Sequence, residues 1–490
     1  CRVQPRSGGG GAHRDRHRRA RGAAAQRLTL SDGRDRARSE PRSAAWREQA
    51  GALEQLDHQA ASGGVGAGQR VGRRDGEARF GKALPDLFGE ALEELIERFE
   101  AEHPEIDIDP QYIPTGDALV QKLVTAVQSN SAPDISWIHS HYLGDLVDAG
   151  AVYPMAHFIE GENGLSQEVL DDIYPALIQY ASWQGTLYSL PMEATNLGMI
   201  YNKDHFREAG LDPERPPQTW DELKEYARRL SVDRNGDGKF ERIGFFVPGL
   251  PADGPQGAYM MWQWTPFLWQ AGGYLIDTTQ TQILFGDEPG VQALTLWKDI
   301  YQAQNQRSFT NEFEVAFVSK QASMILDGPW SLPRYPQILQ DIDWGIAMLP
   351  AGPEKHATVV AGEYLAIFKQ SEHPDEAWAF VKWMLDPEVQ AFWSMKSGYL
   401  PVRQSVLDVP EFQAFLAENP ANKAYVDQMQ YAQAQRPIDF NTVAIQRELA
   451  LAIEKATVGG QDPATVLRQA AANANRLLEQ GRQADATPAE

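Results

Sequence analysis

The chain has 490 residues, 42% of them hydrophobic and 10% aromatic, with a formal net charge of −22. This suits a globular protein of two sizeable lobes. There is no run of 18 apolar residues to span a bilayer and no signal-peptide pattern, and the single cysteine, Cys1, excludes a disulfide framework or a cysteine metal site. The charge is split: residues 1–80 hold 17 Arg against 9 acidic residues, while residues 81–490 hold 28 basic against 58 acidic ones. An acidic body argues against nucleic acid as a partner, because phosphate binding needs cationic surface.

Residues 1–80 contain no Lys, Ile, Asn, Tyr or Met. A segment so poor in β-branched and aromatic residues cannot build a core. It reads as a wrong-frame translation of G+C-rich DNA or a disordered basic arm, dispensable for the fold. Cys1 also invites a lipoprotein reading, with an acylated first residue anchoring the chain to a membrane surface.

From Leu84 the pattern changes. Phe88, Leu92, Leu95, Ile96 and Phe99 recur at helical spacing, and Pro104 ends that helix. Ile106 and Ile108 alternate with Asp and predict a strand. A second amphipathic helix carries Val120, Leu123, Val124 and Val127, and Ile135–Ile138 predicts a short buried strand. Helices and strands alternate to about residue 370, which predicts α/β layers with mainly parallel sheets. Beyond that the chain is mostly helical. Asp375 is expected to cap a helix bearing Trp378, with Trp383 and Trp393 also in the core, and a last helix covers Ala464–Leu478. Residues 481–490 are expected to be a disordered tail.

Catalytic signatures are missing. The sequence has no Gly-x-Ser-x-Gly elbow, no Walker A loop and no His-Glu-x-x-His pair. Carboxylates are plentiful, but nothing singles out two of them as a glycosidase pair. A structural Ca2+ is the one cofactor suggested: Asp233, Asn235, Asp237, Lys239 and Glu241 occupy positions 1, 3, 5, 7 and 9 of a calcium loop, with Gly238 at the turn. Position 12 is Gly244 where a bidentate Glu belongs, so a plain polar turn explains the loop equally well.

Aromatic residues are more telling. Trp262, Trp264 and Trp269 lie within eight residues, and Trp330 follows Gly328-Pro329. Flat rings bury the apolar faces of pyranoses while polar groups read the hydroxyls. The ordinary alternative is core packing.

Several blocks resemble a known family. Trp183-Gln-Gly185-Thr-Leu-Tyr188-Ser-Leu-Pro191, Gly198-Met-Ile-Tyr201-Asn202-Lys203 and Pro217-Gln-Thr219-Trp220-Asp221-Glu222-Leu223 are similar to the central signature of family 1 extracellular solute-binding proteins, the maltose-binding-protein-like receptors of bacterial ABC sugar importers. Ala132-Pro133-Asp134-Ile135, Ala322–Trp330 and Ser397-Gly398-Tyr399-Leu400-Pro401-Val402-Arg403 resemble further blocks of that family, in the right order.

The resemblance implies a monomer of α/β class with the two-lobed periplasmic-binding-protein fold, in which a ligand cleft and hinge lie between the lobes. It would not be an enzyme but a periplasmic or extracellular receptor delivering a carbohydrate to ABC permease subunits of the inner membrane. It implies an N-terminal lobe of 81–192 plus 366–432 and a C-terminal lobe of 197–361 plus 437–480. The crossings would lie near Pro191–Leu197, Gly362–Ala366 and Gln433–Pro437. Loop position makes His139, His141, Tyr142, Glu193, Trp262, Trp264 and Glu363 candidate ligand contacts. Trp330 and Tyr399 match motif positions, and the Trp330 block matches one that carries a sugar-stacking tryptophan. Arg403 is the motif-linked cation that a phosphate ligand would want. A glycerol phosphate ester or a polyamine is the alternative ligand, and a secreted carbohydrate-active enzyme the more distant rival. The family's first strand is expected just before Leu84, where residues 70–83 hold nothing like it.

Overall fold

The computed structural model describes residues 2–5, 87–111, 117–139, 143–249, 257–307, 312–434 and 441–486. Cys1–Ser7 and Leu84–Ala484 make up one compact unit. In chain order its strands are β1 (Arg2–Pro5), β2 (Ile106–Asp109), β3 (Ile135–His139), β4 (Ser182–Trp183), β5 (Thr186–Leu187), β6 (Leu190–Pro191) and β7 (Thr195–Asn196). They continue as β8 (Gly198–Asn202), β9 (Ile243–Phe245), β10 (Ala322–Asp327), β11 (Trp344–Ala347), β12 (Thr358–Ala361), β13 (Glu363–Ile367) and β14 (Ala432–Ala434).

The first helix, Leu87–Glu102, forms where the 3.6-residue repeat predicts it. Ala91, Leu95 and Phe99 share the buried face, and Glu94 and Arg98 pair at 2.6 Å on the exposed one. Fully burying Leu95 and Phe99 contributes about 1.5–3 kcal/mol each. β2 then alternates, with Ile106 and Ile108 inward and both aspartates outward.

One lobe is built on the sheet β3-β13-β6 and the other on β11-β8-β10-β9. In the second sheet every residue of β8 and β10 is buried. Its Ile200 and Ile325 join one core and Met199, Tyr201, Met324 and Leu326 the other, so both faces are covered. A third sheet, β14-β12-β7, is made only of segments that run between the lobes. β6 leads through Met192–Ala194 into β7, and β12 leads through Gly362 into β13.

Several expectations need correction. The sheets are not mainly parallel: among the described strands only β9–β10 and β12–β14 pair in parallel, because the chain returns between the lobes and β8 and β13 each run against both neighbours. Asp375 is not a cap. His373 holds that position and Pro374 begins the helix, leaving Asp375 in the first turn, where its charge still suits the helix dipole. The last helix runs Pro463–Ala486, so residues 481–486 are helical rather than tail. Arg2–Pro5, in a segment expected not to dock, pairs antiparallel with β2, Val3 opposite Ile108.

Candidate ligand-binding cleft

The turn that carries Trp330 is anchored from beneath. β10 ends in the buried Asp327, whose Oδ1 accepts from Gly328 N at 2.8 Å and whose Oδ2 accepts from the Tyr335 hydroxyl. Tyr425 donates to the Asp327 carbonyl at 3.0 Å. Burial pushes the Asp327 carboxyl up to about 6, against the hydrogen bonds that favour its charged form. Gly328 is required here: a Cβ would sit 1.9 Å from the Trp330 ring. Trp330 lies in a single 3-10 turn, Pro329–Ser331, half-buried, with its ring centroid 5.9 Å from that of Trp262 at an interplanar angle of 42°.

Trp262 and Trp264 part company. Both lie on the helix Gly257–Gln270, but two residues turn a helix by about 200°, so they face opposite ways. Trp262 is half-buried beside Trp330, whereas Trp264 is fully buried among Phe267, Trp297 and their neighbours. Trp264 is a core residue, with no exposed face to offer a ligand.

The second motif-linked aromatic arrives from the other lobe. The helix Pro387–Ser397 ends at Gly398 in the left-handed conformation, φ +81°. A Cβ at Gly398 would lie 2.5 Å from the Pro329 carbonyl oxygen, so glycine lets this loop close on the Trp330 turn. Tyr399 follows at once, half-buried, edge-on to Phe88 at 5.7 Å. Arg403 is engaged within its own lobe. Its Nε donates to Asp172 at 2.7 Å and its Nη1 to the Leu385 carbonyl at 2.9 Å, which commits the guanidinium to tying two loops of one lobe.

At the base of the crossings stand Glu193 and Glu363, 1% and 7% exposed. Trp393 Nε1 donates to Glu193 Oε2 at 2.5 Å. His139 is the cross-strand partner of Glu363, with 3.8 Å between Nε2 and Oε1. Burial holds the Glu193 carboxyl well above the usual range, and the neighbouring Glu363 adds to this. His141 and Tyr142 lie outside the described residues.

Some contributors had no motif. Trp137 shares the strand face of His139 and meets Trp393 edge-on at 6.2 Å; two-residue spacing from a candidate histidine was the available signal. Gln428 donates to Asn196 Oδ1 at 2.9 Å and to the Leu197 carbonyl at 2.6 Å, while Asn196 donates to Tyr425 O at 2.9 Å. These amides satisfy backbone at the first crossing, a role that only the tertiary structure displays.

The loop 233–241 is closed by its own side chains. Asp233 accepts from the backbone of Gly236 and Gly238, both at 2.8 Å, and Asn235 from Asp237 at 3.0 Å. Asp237 accepts from Lys239 at 2.7 Å and Glu241 from Arg234 at 2.9 Å. Lys239 Nζ stands 4.0 Å from Asp237. Among the described residues no group of three or more His, Cys, Asp or Glu side chains is arranged to hold a metal ion.

Known proteins resemble this chain over most of its length. The family described as bacterial extracellular solute-binding protein matches residues 85–391. A binding protein of Brucella abortus is 26% identical over 405 residues, covering 80% of this chain and 90% of its own. The sn-glycerol-3-phosphate-binding periplasmic protein UgpB of Escherichia coli is 24% identical over 366 residues, covering 71% and 80%. Among solved structures, the cyclic alpha-maltosyl-1,6-maltose binding protein of Arthrobacter globiformis superposes with a TM-score of 0.71 at 28% identity, covering 81% of this chain and 97% of its own.

Proposed function

The chain belongs to the bacterial extracellular solute-binding proteins, and from that premise we propose that it captures a carbohydrate between its lobes and delivers it to the permease of an ABC importer, without turnover. The observation that carries the reading is the meeting of two aromatic blocks from opposite lobes. The Gly398–Tyr399 loop closes on the Pro329–Trp330 turn, and Trp262 backs Trp330. Aromatic faces at a cleft rim suit pyranose rings. On this reading Trp262, Trp330 and Tyr399 contact the sugar, and His139, Glu193 and Glu363 form the floor.

The UgpB relatives favour a second reading, a glycerol phosphate ester. A phosphate calls for cationic donors, and the motif-linked cation, Arg403, is committed to Asp172 and Leu385. That tilts the choice toward a neutral saccharide. The family's extracellular setting puts the protein outside the cytoplasm; among the described residues no helix is long and apolar enough to cross a membrane.

The test is thermal stabilisation by maltose, trehalose, cellobiose and xylo-oligosaccharides, with glycerol 3-phosphate as the competing ligand. A ligand that binds only the folded state raises Tm by mass action. At least one saccharide should do so while remaining chemically intact; stabilisation by glycerol 3-phosphate alone would overturn the sugar reading, and release of cleaved product would overturn the binding reading.

A further inference from the structure

The chain keeps turning after Trp330. Ser331 N donates to Gly328 O at 3.3 Å, Leu332 N to Pro329 O at 3.0 Å and Arg334 N to Ser331 O at 3.2 Å, so the 3-10 turn winds on into the short helix Tyr335–Ile338. Residues three or four apart on such a spiral are neighbours, which places Arg334 beside the Trp330 turn. Its side chain folds back along the turn. Nη2 donates to Ser331 Oγ at 3.1 Å and to Glu314 Oε2. Glu314 lies in the first turn of the helix Phe313–Val318. That helix reverses direction into β10, with Gln321 N donating to Ala316 O at 2.8 Å, so its first turn stands at the end of β10 that carries Trp330.

A guanidinium offers five N–H donors in a rigid fork, and a carboxylate accepts on both oxygens. Nη2 is spent on Ser331 and Glu314, but among the described residues Arg334 Nη1 and Glu314 Oε1 make no hydrogen bond. The two side chains are 38% and 27% exposed, open to a ligand yet partly out of water. An ordinary role would be to fasten the helix to the turn. The turn, however, is already held from beneath by Asp327, Tyr335 and Tyr425, and a partly exposed ion pair adds little stability. The pair carries no net charge, which does not suit a phosphate dianion. It does present a charged donor beside a charged acceptor, and a hydroxyl can serve as either donor or acceptor.

We propose that Glu314 and Arg334 are specificity-determining residues for the carbohydrate: the ion pair reads two neighbouring hydroxyls of the ring that stacks on Trp330, Glu314 accepting from one and Arg334 Nη1 donating to the other. The inference rests on the carbohydrate reading of the cleft and adds the groups that tell one sugar from another.

The test is calorimetric affinity of the full chain for maltose, trehalose, cellobiose and xylo-oligosaccharides, followed by monodeoxy analogues of whichever binds most tightly. Arg334→Gln and Glu314→Gln should each weaken that sugar about 10- to 100-fold, the loss expected for a hydrogen bond to a charged group. Removing the hydroxyl that a residue reads should cost the parent protein a similar factor and the matching variant little more, so the two losses fail to add. A residue that only braced the turn would give losses that add at every hydroxyl. Unchanged affinity in either variant, or additive losses throughout, would overturn the inference and leave the carbohydrate reading intact; a parent protein that binds none of these saccharides would overturn both. Where a glutamine variant does not fold, Arg334→Lys or Glu314→Asp, which keeps the charge but not the reach, carries the same comparison.

Discussion

Two sheets of the molecule solve the same problem in different ways. In the sheet β11-β8-β10-β9 the central strands are buried along their whole length and covered on both faces. In the two-stranded sheet β1-β2, β2 buries only alternate residues, and its ladder partner is the four-residue β1 from about a hundred residues upstream. A strand buried on both faces must write its position into a continuous apolar run. A strand at an edge needs mainly backbone donors and acceptors, which almost any four residues supply. The four-stranded sheet is therefore specified by side chains, and the separate β1-β2 ladder, on its β1 side, by main chain.

That contrast can be broken most forcefully at Trp264. Trp264→Ala empties a fully buried site in the lobe whose core is specified by side chains, and should cost about 3–5 kcal/mol of unfolding free energy. Denaturant titration measures it, with affinity for any bound saccharide little changed in the surviving folded fraction. The partner experiment is Trp330→Ala. It removes a half-buried ring at the cleft rim and should weaken saccharide binding by about 2–4 kcal/mol. Calorimetric affinity unchanged beside a large loss of stability would return Trp330 to the core.

A pH experiment sharpens the same point, since the buried strand β10 ends in a carboxyl that the fold keeps protonated more readily than water does. Asp327 is pushed up to about 6 by burial from an ordinary 3.8. The folded state therefore holds this proton more tightly. The stability it contributes is complete below about pH 4 and is lost as pH rises through 6, by roughly 3 kcal/mol in all. Asp327→Asn has no proton to lose. The difference in unfolding free energy between variant and parent should drift in favour of the variant across that window, and a flat difference would contradict the assignment.

At the edge the expected effects are smaller. Removing residues 1–5 uncovers β2 and forfeits a short ladder, worth about 1–2 kcal/mol if only a few net hydrogen bonds are lost. Amide exchange at Ile106–Asp109 should quicken while that of β8 and β10 stays slow. The smallest effect belongs to the 233–241 turn. Its oxygens already accept backbone N–H groups, so chelation should leave Tm unmoved; a fall that calcium reverses would give the loop an ion.

What could be read from the sequence follows the same division. Leu95 and Phe99, Ile106 and Ile108, and the β8 and β10 blocks announce themselves, because burial on a regular element imposes a period. Trp330 and Tyr399 could be singled out because each follows a glycine in a motif that turns the chain. Trp264 and Arg403 misled for one reason: residue type suggested a role that rotation on a helix, or a partner some 230 positions away, assigned elsewhere. The edge strand β1 and the amides of Gln428 and Asn196 have no local signature, since what they satisfy is backbone far off in sequence.

The inequality between the first two crossings has a mechanical side. Three residues, Met192–Ala194, span on one side what two, Gly362 and Glu363, span on the other, so the lobes hang from tethers of different length. A plate hung that way does not swing like a door. As it bends it also turns, because the shorter tether becomes taut first. The rims of the cleft should then slide past one another as they approach, carrying the Tyr399 loop along the Trp330 turn rather than straight onto it. Open and ligand-closed structures superposed on one lobe would show this as a rotation axis inclined to the crossing strands, whereas a pure clamshell would place the axis square across them.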